Sequence, residues 1–301
     1  MPDLLSQAGL ISLAVKEAVL PGNLEREPEP MAMEGEGSVE AFHDAGDDAG
    51  ALWPVYRFNA LAMSALLPEG GRVFDLGSGS AQLLLHLAQL RPDVTIVGTD
   101  LSEEMLSRGR QAISAAGLGA RIELIEADMT APPFEEHGAA DLISAVFSLH
   151  HLPDRPLLTR CIDRIAKAQA ASGCSVWIFD HARPRRAQTA EAFPKLATPQ
   201  VSRALKDDSR NSIKAAFSYA ELSESTDAIA EIRHAQARFL PLYQAHWLGA
   251  HPRPPISGQG TRVDAERGTR NNDQQFRAFL SLWPSSVRRF VQSGYASKPP
   301  S

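Results

Sequence analysis

RVFDLGSGSAQ, residues Arg72 to Gln82, is the stretch whose reading decides the fold. Val73, Phe74 and Leu76 suit a buried strand, Gly77 and Gly79 free the backbone to turn tightly, and Leu83 to Leu90 continue as a largely apolar helical pattern. The order is strand, glycine turn, helix start. Free N–H groups at such a helix start, with no side chains in the way, let a ligand approach the backbone closely. The same residues also read as an ordinary tight turn that holds nothing, so the rest of the chain decides between the two.

Working outward, the pattern alternates. Strand-like segments at Arg72–Leu76, Thr95–Asp100, Ile122–Glu126, Asp141–Ala145 and Ser175–Asp180 are separated by helical patterns near Ala81–Leu90, Ser102–Ala116 and Pro156–Ala171. Alternation of this kind predicts βαβ crossovers and an α/β fold, a doubly wound parallel sheet with helices on both faces. Such sheets bind ligands beyond the carboxyl ends of their strands, near the reversal of strand order, so the working residues are expected just after each strand. Upstream, Ala51 to Leu67 is helical in pattern and stops at Pro68-Glu-Gly-Gly71. Downstream, Arg183 to Ser218 is a polar insertion with short helical stretches, and Tyr219–Glu231 is helical again. Then RFLPLYQAHWL, Arg238 to Leu248, predicts two short terminal strands around Pro241. The segment PRPPISGQG after His251 is loop-like, and Gln274 to Val291 reads as one or two amphipathic helices interrupted at Pro284.

With 301 residues, 44% of them apolar, the chain can bury a sizeable core. Its formal charge of −6 is unevenly spread: Pro21 to Gly50 holds nine acidic residues against one Arg, leaving the remainder at about +2. No strongly basic face is indicated, which argues against a nucleic-acid partner. Two cysteines, Cys161 and Cys174, are too few for a disulfide framework or a protein-only zinc site, so buried free thiols and no metal are expected. Leu4, Ala8, Ile11, Val15 and Val19 suit one face of an N-terminal helix. Asp3 and Lys16 do not suit a signal peptide, and no run reaches transmembrane length. A cytoplasmic protein without a membrane partner is expected. The acidic stretch to Gly50 reads as a mobile connector whose charge is solvated, or as a lid with Phe42 and His43 as its contact residues. The organisation that follows is residues 1–50 as helix and connector, 51–250 as the main domain with 183–218 a candidate substrate cap, and 251–301 as a C-terminal extension.

The residues that follow the strands carry the chemistry. Asp100 ends the second strand about 20 residues after the glycine turn, where a carboxylate can accept both ribose hydroxyls of a nucleoside. Asp128 follows the third strand and suits an exocyclic amine, with the Met129 thioether beside it to pack on an adenine face. The fourth runs into SLHHLPD, placing His150 and His151 at the edge of the expected pocket. Each has a plainer reading too: Asp100 leading into a helix cap, Asp128 capping a turn, one histidine of the pair structural. Their recurrence at matching positions of consecutive βα units favours a shared site.

This constellation resembles the class I S-adenosylmethionine-dependent methyltransferases, over roughly Trp53 to Leu248. VFDLGSGSAQL is similar to the family's first motif, an acid followed by three alternate glycines, with Asp75, Gly77, Gly79 and, departing from the pattern, Ala81. TDLSEEML, EADM and DLISAVFSLHHLPD resemble the second, third and fourth motifs. The resemblance implies a mainly parallel seven-stranded sheet closed by an antiparallel hairpin, and S-adenosyl-L-methionine as cofactor. It implies that Asp75 and the Gly77–Ser78–Gly79 backbone hold the methionyl end, that Asp100 binds the ribose, that Leu101 and Met129 pack on the adenine, and that Asp128 lies near its amine. Phe147 completes this set, and Arg57 is a candidate partner for the cofactor carboxylate or simply a helix-surface arginine. For the acceptor's proton, His150 is the first candidate, because imidazole titrates near neutrality, and His181 after the fifth strand is the second. Arg183, Arg185 and Arg186 stand nearby as anchors for an anionic substrate, or as a solvated basic loop. A small-molecule acceptor is the expected partner. Two other readings are a nicotinamide-dependent oxidoreductase, which Gln82 at the last glycine position and Asp75 before the turn disfavour, and a non-catalytic interaction subunit on the same fold.

Overall fold

The computed structural model describes residues 4–31, 40, 43–46, 50–249 and 270–295. Seven strands form one sheet: β1 (Arg72–Leu76), β2 (Thr95–Asp100), β3 (Ile122–Glu126), β4 (Leu142–Val146), β5 (Ser175–His181), β6 (Arg233–Gln236) and β7 (Tyr243–Leu248), in the order β3-β2-β1-β4-β5-β7-β6. The first five pair in parallel, and β7 runs antiparallel to both β5 and β6. Strand order therefore reverses between β1 and β4, and their carboxyl ends open the crevice that such sheets use for ligands.

Side chains alternate across the sheet because successive strand residues point to opposite faces. Val73, Trp177 and Phe179 enter one apolar layer, while Phe74, Ile143 and Ile178 enter the other. The first layer is covered by α2 (Trp53–Leu66) and α3 (Gln82–Leu90), the second by α5 (Arg155–Ser172) and α8 (Tyr219–Thr226), with α4 (Glu103–Ala115) beside β2 and β3. Within the first layer Trp177 Nε1 donates to Asn59 Oδ1 at 2.8 Å, which satisfies a donor that burial would otherwise orphan. Two C-terminal helices, α9 (Arg270–Ser281) and α10 (Ser285–Gln292), pack on α2, where Trp283 stacks on Phe58 at 5.0 Å between centroids. Cys161 and Cys174 are buried free thiols, and burial pushes Cys161 up to about 12.

A third apolar cluster lies beyond the strand ends. It joins α1 (Leu4–Val19) to α6 (Ala187–Ala197) and α7 (Arg203–Ala215) through Leu13, Ala14, Ala190, Ile213, Leu240 and Leu242. The helical insertion at 183–218 is thus α6 and α7.

Three expectations are corrected. The buried face of α1 is Leu13, Ala14 and Glu17, whereas Ile11, Val15 and Val19 are exposed. The helix is apolar nearly all round, and what orients it is the buried Glu17 carboxylate, which accepts from Arg185 N at 2.6 Å and Thr189 Oγ1 at 2.5 Å. The first strand of the hairpin lies before Arg238: Pro241 has no N–H for a ladder, and residues 237–242 form the connection. Finally, the described part of the acidic connector up to Met31 is fixed to the domain by hydrogen bonds, Leu24 N to Arg185 O at 2.8 Å and Glu27 N to Lys214 O at 3.2 Å among them. Phe42, the segment 32–39, and PRPPISGQG fall outside the described residues.

Candidate active site

The glycine turn is held in shape by its own left-handed residues and by Asp100. Gly77 and Gly79 have φ of +71° and +53°, and Ala81 at the start of α3 has φ +63°, an uncommon conformation for a residue with a Cβ. A Cβ at Gly77 would come within 2.4 Å of the Ser148 Cβ, so both backbone angle and space require glycine there. The Asp100 carboxylate accepts from Gly79 N at 2.8 Å through one oxygen and from Ser102 N at 2.9 Å through the other. It thereby ties the turn to the start of α4, where the Ser102 side chain caps Met105 N. Burial raises Asp100, with the Ser102 and Gly79 amides opposing. Asp75 is buried under the turn and accepts from Ser144 Oγ at 2.5 Å. Burial pushes its carboxyl up to about 7, with Ser144 opposing and Asp100 adding to the rise.

These residues open into a cavity of about 400 Å³. Asp75, Gly77, Ser78, Gly79, Asp100, Leu101, Met129, Phe147, His150 and His181 all line it, joined by Tyr56, Met105 and Ser148, which sequence reasoning did not single out. The Oγ atoms of Ser78 and Ser148 and the Nδ1 of His181 are buried with no hydrogen-bond partner among the described residues. Orphaned polar atoms around a glycine cradle and two carboxylates fit a ligand that brings its own donors and acceptors.

Two members of the expected set lie elsewhere. Arg57 faces away, its guanidinium 5.4 Å from the Tyr295 ring, because on α2 the cavity takes the faces of Pro54, Val55 and Tyr56. Asp128 turns its carboxylate back onto Thr130, accepting from N at 2.7 Å and Oγ1 at 2.9 Å, and so serves as a turn cap. Two of the arginines considered as anion anchors, Arg183 and Arg185, are also engaged elsewhere. Arg183 pairs with Glu221 at 3.1 Å, Arg185 with Glu17 at 4.0 Å, and Arg186 precedes α6. Among the described residues lining the cavity there is no Arg or Lys.

The far end of the cavity is apolar with one polar wall. Phe193, Leu205, Phe239, Tyr243 and Phe279 supply the apolar side, from α6, α7, the hairpin and α9. The polar wall combines the turn after β4 with Asp208, Ser209 and Ser212 of α7. His150, 3% exposed, donates its backbone N–H to one oxygen of Asp180 at 3.0 Å and shares a 2.6 Å hydrogen bond through Nδ1 with the other. Burial pulls the His150 imidazolium down, but the Asp180 carboxylate, with Glu29 and Asp208 behind it, more than reverses this, and its pKa stands above the ordinary value. Asp180 is held correspondingly low: burial opposes ionisation and the His150 charge overcomes it. His181, packed between Phe147 and Tyr243, is pushed by burial and by His150 down to about 3 and stays neutral. Asp180 is the penultimate residue of β5, so the rule that located Asp100 also leads to its neighbourhood. Glu29, His150 and His151 bring ligand atoms within 4.8 Å of one another, with the two imidazoles 4.3 Å apart and tilted by 35°. His43 packs on Gln82 at the start of α3, 2.8 Å between side-chain nitrogens.

The sheet order with its reversed last strand defines a Rossmann-like methyltransferase fold. Residues 73–173 match a family model described as a methyltransferase domain. That match makes residues 73–173 similar to a methyltransferase domain and supports the class I S-adenosylmethionine-dependent methyltransferase family. One curated relative, the ubiquinone/menaquinone biosynthesis C-methyltransferase UbiE of Geotalea uraniireducens, is 33% identical over 33% of this chain and 43% of its own length. Its counterpart from Pseudomonas fluorescens is 24% identical over 62% of this chain and 71% of its own. The match thus spans less than half of the first relative. Among solved structures, the CcbJ methyltransferase from Streptomyces caelestis shares the fold with a TM-score of 0.54 at 16% identity, over 74% of this chain and 100% of that one. No described helix is long and apolar enough to cross a membrane.

Proposed function

We propose that this chain is an S-adenosylmethionine-dependent methyltransferase acting on a small-molecule acceptor with an apolar body. The observation that carries this reading is one cavity joining the glycine turn and Asp100 to the buried His150–Asp180 pair. When bound, the cofactor supplies an electrophilic methyl carbon on a sulfonium, so the protein need not form a covalent intermediate. Asp75 and the Gly77–Gly79 backbone hold the methionyl end, Asp100 accepts from the ribose hydroxyls, and Leu101, Met105 and Met129 flank the adenine. The protein's main contribution is to orient the acceptor and exclude water.

His150 is the proton acceptor in this reading. Asp180 at Nδ1 fixes the tautomer that leaves Nε2 available, and holds the imidazolium once the proton arrives. His181, held neutral, contributes a ring wall instead. Phe193, Phe239, Tyr243 and Phe279 suit a planar apolar ring, and the lack of Arg or Lys among the described lining residues disfavours an anionic one. A demethylmenaquinone-type ring, the acceptor class in the name of one relative, is therefore the first to assay. Titration calorimetry with S-adenosylmethionine tests the first half of the reading, and no binding at millimolar cofactor overturns it. Mass spectrometry for methyl transfer to the assayed rings tests the second, and transfer only to anionic acceptors overturns the apolar assignment.

A further inference from the structure

The segment 24–31 is bound to the turn that carries His150 at three consecutive points. Arg26 donates through one guanidinium nitrogen to the backbone oxygens of His150 at 2.8 Å and Leu152 at 2.5 Å, and through another to Pro153 at 2.7 Å. Its Nε donates to Ala215 O at 2.5 Å, at the end of α7, and the group lies 3.9 Å over the Phe217 ring. Three residues on, Glu29 Oε2 stands 3.9 Å from His150 Nε2 and accepts from Ser212 Oγ at 3.2 Å. Pro30 O is then 3.0 Å from His151 Nδ1, and Met31 reaches the cavity.

Two features separate this from a surface strap. All of the Arg26 hydrogen bonds go to backbone oxygens, three of them on the one turn, so the guanidinium fixes the position of that turn. Glu29 is a largely buried carboxylate whose one ion-pair partner among the described residues is the His150 imidazole. A buried carboxylate facing an imidazole favours the protonated ring. The 3.9 Å separation is too long for a direct hydrogen bond, and a donor atom of an acceptor set to one side of the pair can reach both.

We propose that residues 24–31 are a working part of the methyl-acceptor site: Arg26 is the positioning residue that fixes the His150 turn, and Glu29 is the second carboxylate that, opposite Asp180, sets the proton affinity of His150. The proposal rests on the reading of His150 as proton acceptor. The groups facing His150 are Asp180 and His181 from β5, Glu29 from the strap, Asp208 from α7 and His151 from its own turn. Arg26 lies against its backbone.

The test is the titration of His150 in the full-length protein, followed by NMR of labelled histidine and assigned with His150→Gln. Glu29→Gln is expected to lower the His150 midpoint by about one pH unit, and Glu29→Asp to restore part of it. Glu27→Gln, on the same strap but paired with Lys214 at 3.4 Å, is the control. An unmoved midpoint in folded Glu29→Gln, or an equal shift in Glu27→Gln, overturns the assignment of Glu29. For Arg26, Arg26→Lys keeps the charge and loses the fork. It is expected to shift the His150 backbone amide and ring signals and to lower turnover, with S-adenosylmethionine affinity within about twofold of the parent. Unchanged His150 signals overturn its positioning role. Failure of the parent protein to bind S-adenosylmethionine would instead strike the methyltransferase reading, since the histidine titration needs neither cofactor nor acceptor.

Discussion

The two ends of the cavity are built in opposite ways. The proposed cofactor end comes from consecutive βα units, with Asp75 and Gly77 on either side of the last residue of β1, Asp100 ending β2 and Met129 following β3. The acceptor end gathers Met31, His150, Phe193, Asp208, Tyr243 and Phe279 from six separate parts of the chain. One end is set by local backbone geometry, the other by tertiary packing. A change at the cofactor end should therefore show as lost ligand affinity, and one at the acceptor end as lost turnover.

His150→Ala is the sharpest break. Removing a positioned general base is expected to lower kcat by about 10²–10⁴-fold, with S-adenosylmethionine affinity unchanged by calorimetry. Equal loss of cofactor affinity would dissolve the division between the ends. In the parent enzyme kcat should rise with pH through the raised His150 value, because only the neutral ring accepts a proton. The stability that its partners add has the reverse course: it is fully present below the ordinary histidine value and lost as pH rises through the folded one.

At the cofactor end, Asp100→Ala is expected to cost about 1.5–3 kcal/mol of S-adenosylmethionine binding, the range for a hydrogen bond to a charged group. A folded mutant with unchanged affinity would remove Asp100 from the site. Asp75 gives a third, smaller effect. With its carboxyl up at about 7, holding the cationic amino group requires a proton to leave, so cofactor affinity should fall by up to tenfold, about 1.4 kcal/mol, per unit below pH 7. Asp75→Asn should flatten that slope. For folding the sign is opposite: the raised value favours the native state at low pH, an advantage lost between the ordinary carboxyl range and about 7. The smallest effect is expected at Ala81→Gly. Relief of a left-handed residue, about 1 kcal/mol, is offset by the greater freedom of glycine in the unfolded chain. The melting temperature should move little, and a loss above about 2 kcal/mol would mean that the buried Ala81 methyl is part of the packing against Gly109.

This contrast also explains how far the sequence could be read. Arg72–Leu76, Thr95–Asp100 and Ile122–Glu126 match observed strands to the residue, since buried parallel strands advertise themselves as apolar runs between turn signals. Asp75, Asp100 and His150 follow from the same rule, applied to strand ends. Asp128 and Arg57 show its limit, because position along a strand or helix does not say which way a side chain turns. Arg26 and Glu29 lay in a run whose only visible property was acidity. Their partners are more than 100 positions away in the chain, and nothing local marks that distance. The exposed face of α1 fails for a related reason: a helix with apolar residues on every side takes its orientation from a single buried carboxylate, Glu17.

The packing of α9 on α2 has a consequence for timing during synthesis. The strands and helices that make the cofactor end are complete once β5 has been made, whereas Phe279 and Leu282 of the acceptor wall come from the last described part of the chain. Domains generally organise from the N-terminus as the chain emerges. On the proposed reading, a nascent chain can thus assemble the glycine turn and Asp100 while the other end of the cavity still lacks the wall of Phe279 and Leu282.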